Sequence, residues 1–278
     1  MTAIINQFGV VEDPDNTAGK VLPREIAPGV HWLGDCMLWP GKDKLEHSYT
    51  AIFLVSGDDA SLLVDTGHPK DWEVEKKQLD ELLIGKGLAP LKYVFPTHPE
   101  VTHGGNLGRL LERYPDAMAI GDMRDQHLIF PQHEDRFIRK KAGESVDLGN
   151  REFVFVEAVF RDLLNTLWGY DRQEQVLFSS DGMGFGHYHG EEHCGKFAEE
   201  IPDLPIAELT GIFVEYALYW SRLKSVEPKI ARLNQMLDVE YPTKLVCGAH
   251  GSSISDPEIT LPKVKDGMRE LAKQFSLR

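Results

Sequence analysis

Short runs of apolar residues come first along the chain, and helical spacing enters only after them. Gly29–Leu33 and Ala51–Val55 read as strands, and a Gly57-Asp58-Asp59 turn leads to a third, Ser61–Val64, which stops at Asp65-Thr66-Gly67. From Asp71 to about Ile84, Leu79, Leu82 and Leu83 recur among Glu and Lys, a helical pattern closed by Gly85 and Gly87. Tyr93–Phe95 predicts a strand, Asn106–Tyr114 a helix and Ala117–Ile120 a strand, while the polar stretch Met123–Lys141 carries only a helical expectation. Two strands, Phe153–Val156 and Val176–Ser179, follow Gly149, with Asp162–Tyr170 read as the connection between them. Helices over Ala207–Leu223 and Glu227–Leu237, a strand over Lys244–Cys247 and a helix from about Leu261 to Phe275 complete the pattern.

Paired strands, then βα units, then strands again and a closing αβα run predict an α/β protein of αββα type, with two mixed β-sheets flanked by helices. Residues 1–28, with Asp13-Pro14-Asp15, Pro23 and Pro28, show little periodicity and are expected as an N-terminal extension packed on a single domain of residues 29–278.

Charge narrows the partners. The 278 residues carry 30 Lys+Arg against 44 Asp+Glu, a formal −14, and the longest basic run is Arg139-Lys140-Lys141. A polyanion needs a basic face, so neither nucleic acid nor an anionic membrane is expected as a partner. No apolar run approaches the roughly 18–20 residues that cross a bilayer, and the first residues lack a signal-peptide pattern. Cys36, Cys194 and Cys247 are scattered and odd in number, which points to a reducing cytoplasm.

The histidines carry the chemistry. His98-Pro99-Glu100-Val101-Thr102-His103 follows the strand Tyr93–Phe95, Asp181 follows Val176–Ser180, and His250 follows Lys244–Cys247. Strand ends are rigid, and loops beyond them expose side chains, so imidazoles and carboxylates on one rim form a natural metal site. His98 and Glu100 project the same way from extended chain and can chelate one ion, while His103 can face a neighbouring ion. Gly104-Gly105 lets the backbone pass close by. Beyond Asp181, a glycine-rich loop holds His187, His189, Glu191, Glu192, His193 and Cys194. There His187 and His189 are candidates for hydrogen-bonding partners of the metal ligands, catalytic proton donors or replacement ligands, against a reading as solvated loop residues. Cys194 is expected to be inert, because no second Cys lies near it in sequence. Asp65 is read as a buried hydrogen-bonding brace for the metal loops. Tyr216, Tyr219, Trp220 and Leu223, at helical spacing, are read as core or as an oligomer face.

These motifs resemble the metallo-β-lactamase superfamily, and within it the diiron branch of flavodiiron and related oxygen-binding diiron proteins. The superfamily pattern His-x-His-x-Asp-His has Glu for its second His in that branch, and His98-x-Glu100-x-Thr102-His103 matches three of the four positions. Gly29–Gly34, Ser48–Ala51, Leu63–Gly67, Leu177–Asp181 and His250-Gly251 resemble further segments of the branch, so the likeness spans roughly residues 28–255. The resemblance implies two iron ions, one on His98, Glu100 and a bridging Asp181, the other on His103, Asp181 and His250. Two departures stand out. Thr102 replaces an Asp ligand, which should weaken the second site. Asp162 falls at or near the middle His, which hardens the first site and favours iron or manganese over zinc.

The implied function is a non-haem diiron oxidoreductase that binds, reduces or activates dioxygen or a similar diatomic molecule. No flavodoxin-like domain is expected to follow, so electrons come from an external donor. The alternatives are a metal-dependent hydrolase of a thioester, lactone or phosphodiester, working through a metal-bound hydroxide, and a non-catalytic metal-binding sensor. A homodimer is among the expectations.

Overall fold

In a computed structural model, residues 4–5, 11–12, 21–40, 45–188 and 193–276 are described. The paired strands expected near residues 29–33 and 51–55 are longer than their apolar runs. They are β4 (Val30–Pro40) and β5 (Leu45–Ser56), antiparallel and in register from Val30↔Val55 to Pro40↔Leu45. Before them come β1 (Ile4–Ile5), β2 (Val11–Glu12) and β3 (Arg24–Ala27). After them come β6 (Ser61–Val64), β7 (Leu91–Phe95), β8 (Met118–Gly121) and β9 (Phe137–Arg139). These strands build one sheet in the order β1-β2-β4-β5-β6-β7-β8-β9, with β3 also on β4 and the short β14 (His187–Tyr188) on β5. The described parts of residues 1–28 therefore extend this sheet. The second sheet runs β10 (Ser145–Asp147), β11 (Glu152–Glu157), β12 (Leu167–Asp171), β13 (Val176–Ser180), β15 (Leu245–Gly248).

Alternation of side chains across each strand sorts the core into three layers. Phe53, Val64 and Phe95 of the first sheet meet Phe153, Phe155 and Phe178 of the second between the sheets. Ring centroids approach to 4.9 Å for Phe95 with Phe155 and 5.5 Å for Phe53 with Phe178. On the far side of the first sheet, Leu33, Ile52, Leu54 and Leu63 pack with Leu79 and Leu82 and with Leu107, Leu110 and Leu111 of the helix Leu107–Arg113. On the far side of the second, Val154, Trp168 and Leu177 pack with residues of the helices Ile206–Ala217, Glu227–Gln235 and Pro257–Ser276. The expected αββα sandwich of two mixed sheets is thus the observed fold.

Three local expectations are corrected. β12 lies inside the stretch read as a connection and pairs with β11 from Phe153↔Asp171 to Glu157↔Leu167. A Cβ on its Gly169 would meet Phe153 Cζ at 2.3 Å, so the glycine admits that ring. The helical expectation over Met123–Lys141 holds only in part: a one-turn α-helix, Gln126–Ile129, and a 3-10 helix, Pro131–Arg136, lead into the edge strand β9. The helix expected over Ala207–Leu223 ends at Ala217, followed by a 3-10 turn over Tyr219–Arg222. Tyr216, Tyr219 and Leu223 are exposed, and Trp220 stacks on Phe160.

Candidate metal centre

Parallel pairing of β6 with β7 and of β13 with β15 sends the chain off all four strands at the same rim. Asp65 follows β6, His98 follows β7, Asp181 follows β13 and His250 follows β15. The backbone is strained at two of these exits: Asp65 (φ 59°) and Ser180 (φ 50°) occupy the left-handed half of the map, which non-glycine residues rarely visit. Beside His250, Gly251 has φ 104°, and a Cβ would meet the Phe185 carbonyl at 2.7 Å, so only glycine lets this loop close.

His98, Glu100, His103 and Asp181 place one ligand atom each within 4.8 Å of one another. Asp181 divides its oxygens between two sets of groups. Oδ1 lies 3.2 Å from His103 Nε2 and 3.5 Å from His250 Nε2. Oδ2 lies 3.8 Å from His98 Nε2, which also stands 3.3 Å from Glu100 Oε2 and 3.3 Å from Asp162 Oδ2. All six residues expected as metal ligands are therefore gathered in one place. Thr102, at the position of the superfamily's Asp, has a buried hydroxyl with no hydrogen-bond partner in the structure.

Each imidazole is oriented from behind. His103 Nδ1 is 2.9 Å from Asp65 Oδ2, so Asp65 is the brace the sequence suggested. His250 Nδ1 sits 2.5 Å from the Tyr49 carbonyl and 3.2 Å from Ser48 Oγ. His98 Nδ1 is 3.1 Å from Ser180 Oγ, which in turn is 2.8 Å from Thr97 Oγ1. With Nδ1 engaged in this way, Nε2 of all three rings faces inward, the arrangement by which outer partners fix metal-binding histidines. Of these supports only Asp65 was given its role from the sequence; Tyr49 and Ser180 lie in segments that carry the resemblance without a role of their own, and Thr97 was not marked.

The electrostatics fit a cation. Burial pushes the Asp181 carboxyl up, yet His103, His250 and His98 hold it well below the usual carboxylate range. Burial pulls His103 down, but Asp65 and Asp181 on either side raise it well above its ordinary value. The hydrogen bond from His98 lowers Glu100, and burial lowers His250. His103 Nε2 and Asp181 Oδ1 are buried and make no hydrogen bond, although they face each other. Two buried polar atoms left without a hydrogen-bond partner are costly unless something binds between them. A set of imidazoles and carboxylates suits iron or manganese. The residues present therefore fit the metal pair that the resemblance implied. A cleft of about 470 Å³, walled by Met37, Leu163, Phe213 and Tyr216, opens onto Glu100, Asp162, Asp181 and His250.

The structure does not bring His187 to this cluster. It is buried against His47, Tyr49 and Cys194, and burial lowers its imidazole to about 4, so it is neutral and enclosed. His189 lies outside the described residues.

An αββα sandwich with imidazoles and carboxylates converging on one rim defines a metallo-β-lactamase-type protein. Residues 46–195 match the family model for the metallo-beta-lactamase superfamily, and the chain belongs to that superfamily. It is 26% identical over 248 residues to the Coenzyme F420H(2) oxidase of Methanothermobacter marburgensis, an alignment covering 86% of this chain and 59% of that protein. It is 23% identical over 239 residues to the anaerobic nitric oxide reductase flavorubredoxin of Pectobacterium atrosepticum, covering 81% of this chain and 44% of the relative. The chain thus spans between under half and three fifths of the curated relatives' lengths. The crystal structure of the flavodiiron protein from Giardia intestinalis superposes with a TM-score of 0.71 at 18% identity, over 91% of this chain and 60% of that one.

Proposed function

We propose that this chain holds two iron ions and acts as a non-haem diiron oxidoreductase on dioxygen or nitric oxide. The observation that carries the reading is the split of Asp181, one oxygen toward His103 and His250 and the other toward His98. His98, Glu100, Asp162 and Asp181 would hold one iron, and His103, Asp181 and His250 the other. Bound iron would supply the one-electron couples that a diatomic substrate needs.

The protein's own residues supply position and exclusion. Asp65, Ser180 and the Tyr49 carbonyl hold the three imidazoles by Nδ1, so the ligand atoms are set before any metal arrives. Met37, Leu163 and Phe213 make the cleft wall apolar, which suits a small uncharged substrate. Glu100, more than half exposed, stands at the mouth. Thr102 weakens the hydrolase alternative, because a neutral hydroxyl replaces a carboxylate that would hold the second ion and orient water. The names of two relatives, an F420H(2) oxidase and a nitric oxide reductase, describe those proteins and support a redox reading here. An external electron donor, a cytoplasmic location and a homodimer using the exposed Tyr216, Tyr219 and Leu223 belong to the same proposal. Among the described residues no helix is long and apolar enough to cross a membrane.

The test is iron content together with the optical spectrum of the chemically reduced protein before and after dioxygen or nitric oxide is added. About two irons per chain and a gas-dependent spectral change are expected. Asp181→Ala should remove most of that iron. Iron content unchanged in Asp181→Ala, or no spectral response from the iron-loaded protein, overturns the proposal.

A further inference from the structure

A second group of metal-binding side chains assembles outside the carboxylate cluster. Cys36 comes from β4, His47 from β5, His187 from β14, and Cys194 from the segment that follows it. All four are buried, and one ligand atom from each lies within 4.8 Å of the other three. We propose that Cys36, His47, His187 and Cys194 form a Cys2His2 site for a structural zinc ion.

Strand register builds the group. In β14 His187 stands directly opposite His47, and across β4 and β5 Cys36 is opposite Tyr49, two residues from His47 and on the same face. Antiparallel neighbours place such side chains within a few ångströms of one another. Cys194 closes the set from 147 residues beyond His47.

The distances fit a tetrahedral ion. With Zn–S near 2.3 Å and Zn–N near 2.0–2.1 Å, a sulfur and a nitrogen on one zinc stand ~3.6 Å apart. Cys194 Sγ is 3.6 Å from His47 Nδ1 and 3.9 Å from His187 Nε2. The His47 and His187 rings meet edge to face at 5.1 Å, so both direct a nitrogen toward the sulfur without stacking on each other. Charge balance also favours zinc. Binding one Zn²⁺ releases one proton from each thiol to solvent, and two thiolates with two neutral imidazoles then leave the buried set with no net charge. Thiolate donors select zinc from the iron and manganese that suit the oxygen-rich centre.

The ion would tie β4, β5, β14 and Cys194 together next to the other centre. Ser48 and the Tyr49 carbonyl, the residues after His47, are the partners that orient His250, and the Tyr49 ring stacks on His187 at 4.5 Å. The site therefore braces the strand on which a proposed iron ligand depends.

The test uses the full purified chain and zinc itself. Zinc-edge X-ray absorption on the Asp181→Ala variant, in which the carboxylate centre is disabled, is expected to show two sulfurs at about 2.3 Å and two nitrogens at about 2.0–2.1 Å, with one zinc per chain surviving dialysis. Cobalt(II) in its place should give a thiolate charge-transfer band. Cys194→Ser and His47→Ala should each weaken zinc binding more than about 100-fold in the same background. A zinc shell without sulfur overturns the proposal, as does a Cys36–Cys194 disulfide in the chain as purified. Because the absorption spectrum is read without altering any of the four ligands, the result stands even where a ligand variant fails to fold. Should Asp181→Ala still bind metal at the carboxylate centre, two sulfurs per zinc are read on protein loaded with one equivalent of zinc, so failure of the diiron proposal and failure of this one are told apart.

Discussion

His103 is held between two carboxylates: its Nδ1 is 2.9 Å from Asp65 Oδ2, and its Nε2 is 3.2 Å from Asp181 Oδ1. One carboxylate orients the ring and the other shares its metal-facing side. Asp65 also accepts the Thr97 backbone N–H at 2.7 Å, so it couples the ring to the loop that carries His98.

Asp65→Ala is therefore expected to weaken iron binding about 10- to 100-fold. Asp65→Asn tolerates the φ of 59° at this position and keeps one hydrogen bond, so its loss should be smaller with the fold intact. Competition titration against a chelator measures both. Equal affinities in wild type and Asp65→Ala would show that His103 is oriented by packing alone.

Thr102→Asp is expected to raise iron occupancy, by restoring a carboxylate next to His103 where the buried Thr102 hydroxyl has no partner. The gain should appear in the second equivalent of iron and leave the first unchanged, as read by stepwise titration. A loss of iron in this variant would mean that the side chain does not reach the centre.

Glu75 predicts a pH dependence of stability. It is buried beneath the Asp65-Thr66-Gly67 turn, with Oε2 accepting from Asn106 Nδ2 at 2.8 Å and Oε1 without a hydrogen bond. Burial and then the nearby Asp71 push its carboxyl well above the ordinary value, with Asn106 and Lys70 opposing. The folded chain thus holds this proton more tightly than the unfolded chain, where Glu titrates near 4.3. Stability from this group is present in full below about pH 4.3 and falls as pH rises through the folded-state value, by about 1.4 kcal/mol for each unit between the two. Glu75→Gln cannot ionise, so in urea unfolding of equally metal-loaded proteins it should gain on wild type as pH rises above about 4.3. A difference that stays constant from about pH 4 upward would contradict this.

Much of the centre was legible because its ligands are short motifs at the ends of strongly apolar strands. Asp181 and His250 each follow a fully buried strand, and the His98 to His103 motif follows β7, whose last two residues are buried; runs this short, bounded by turn residues, read as strands. Asp162 was placed only through the resemblance, since its loop follows no signal beyond Glu157. β12 was missed because Leu167-Trp168-Gly169-Tyr170-Asp171 lacks alternation: four of its five residues are buried, its two faces being covered by different core layers.

The sequence by itself determined the αββα class, the strands that carry strong apolar runs, most of the helices, and the ligands that are close together in the chain or punctuate strand ends. Periodicity and turn chemistry are local, and local signals suffice for these. Only the tertiary structure decided which distant residues share a space. It took His187 away from the carboxylates and set it against His47, and it joined Cys194 to Cys36, a partner that spacing along the chain could not suggest. The physical reason is strand register: a one-residue shift of β14 on β5 would turn His187 to the opposite face, and nothing in a two-residue strand announces its register.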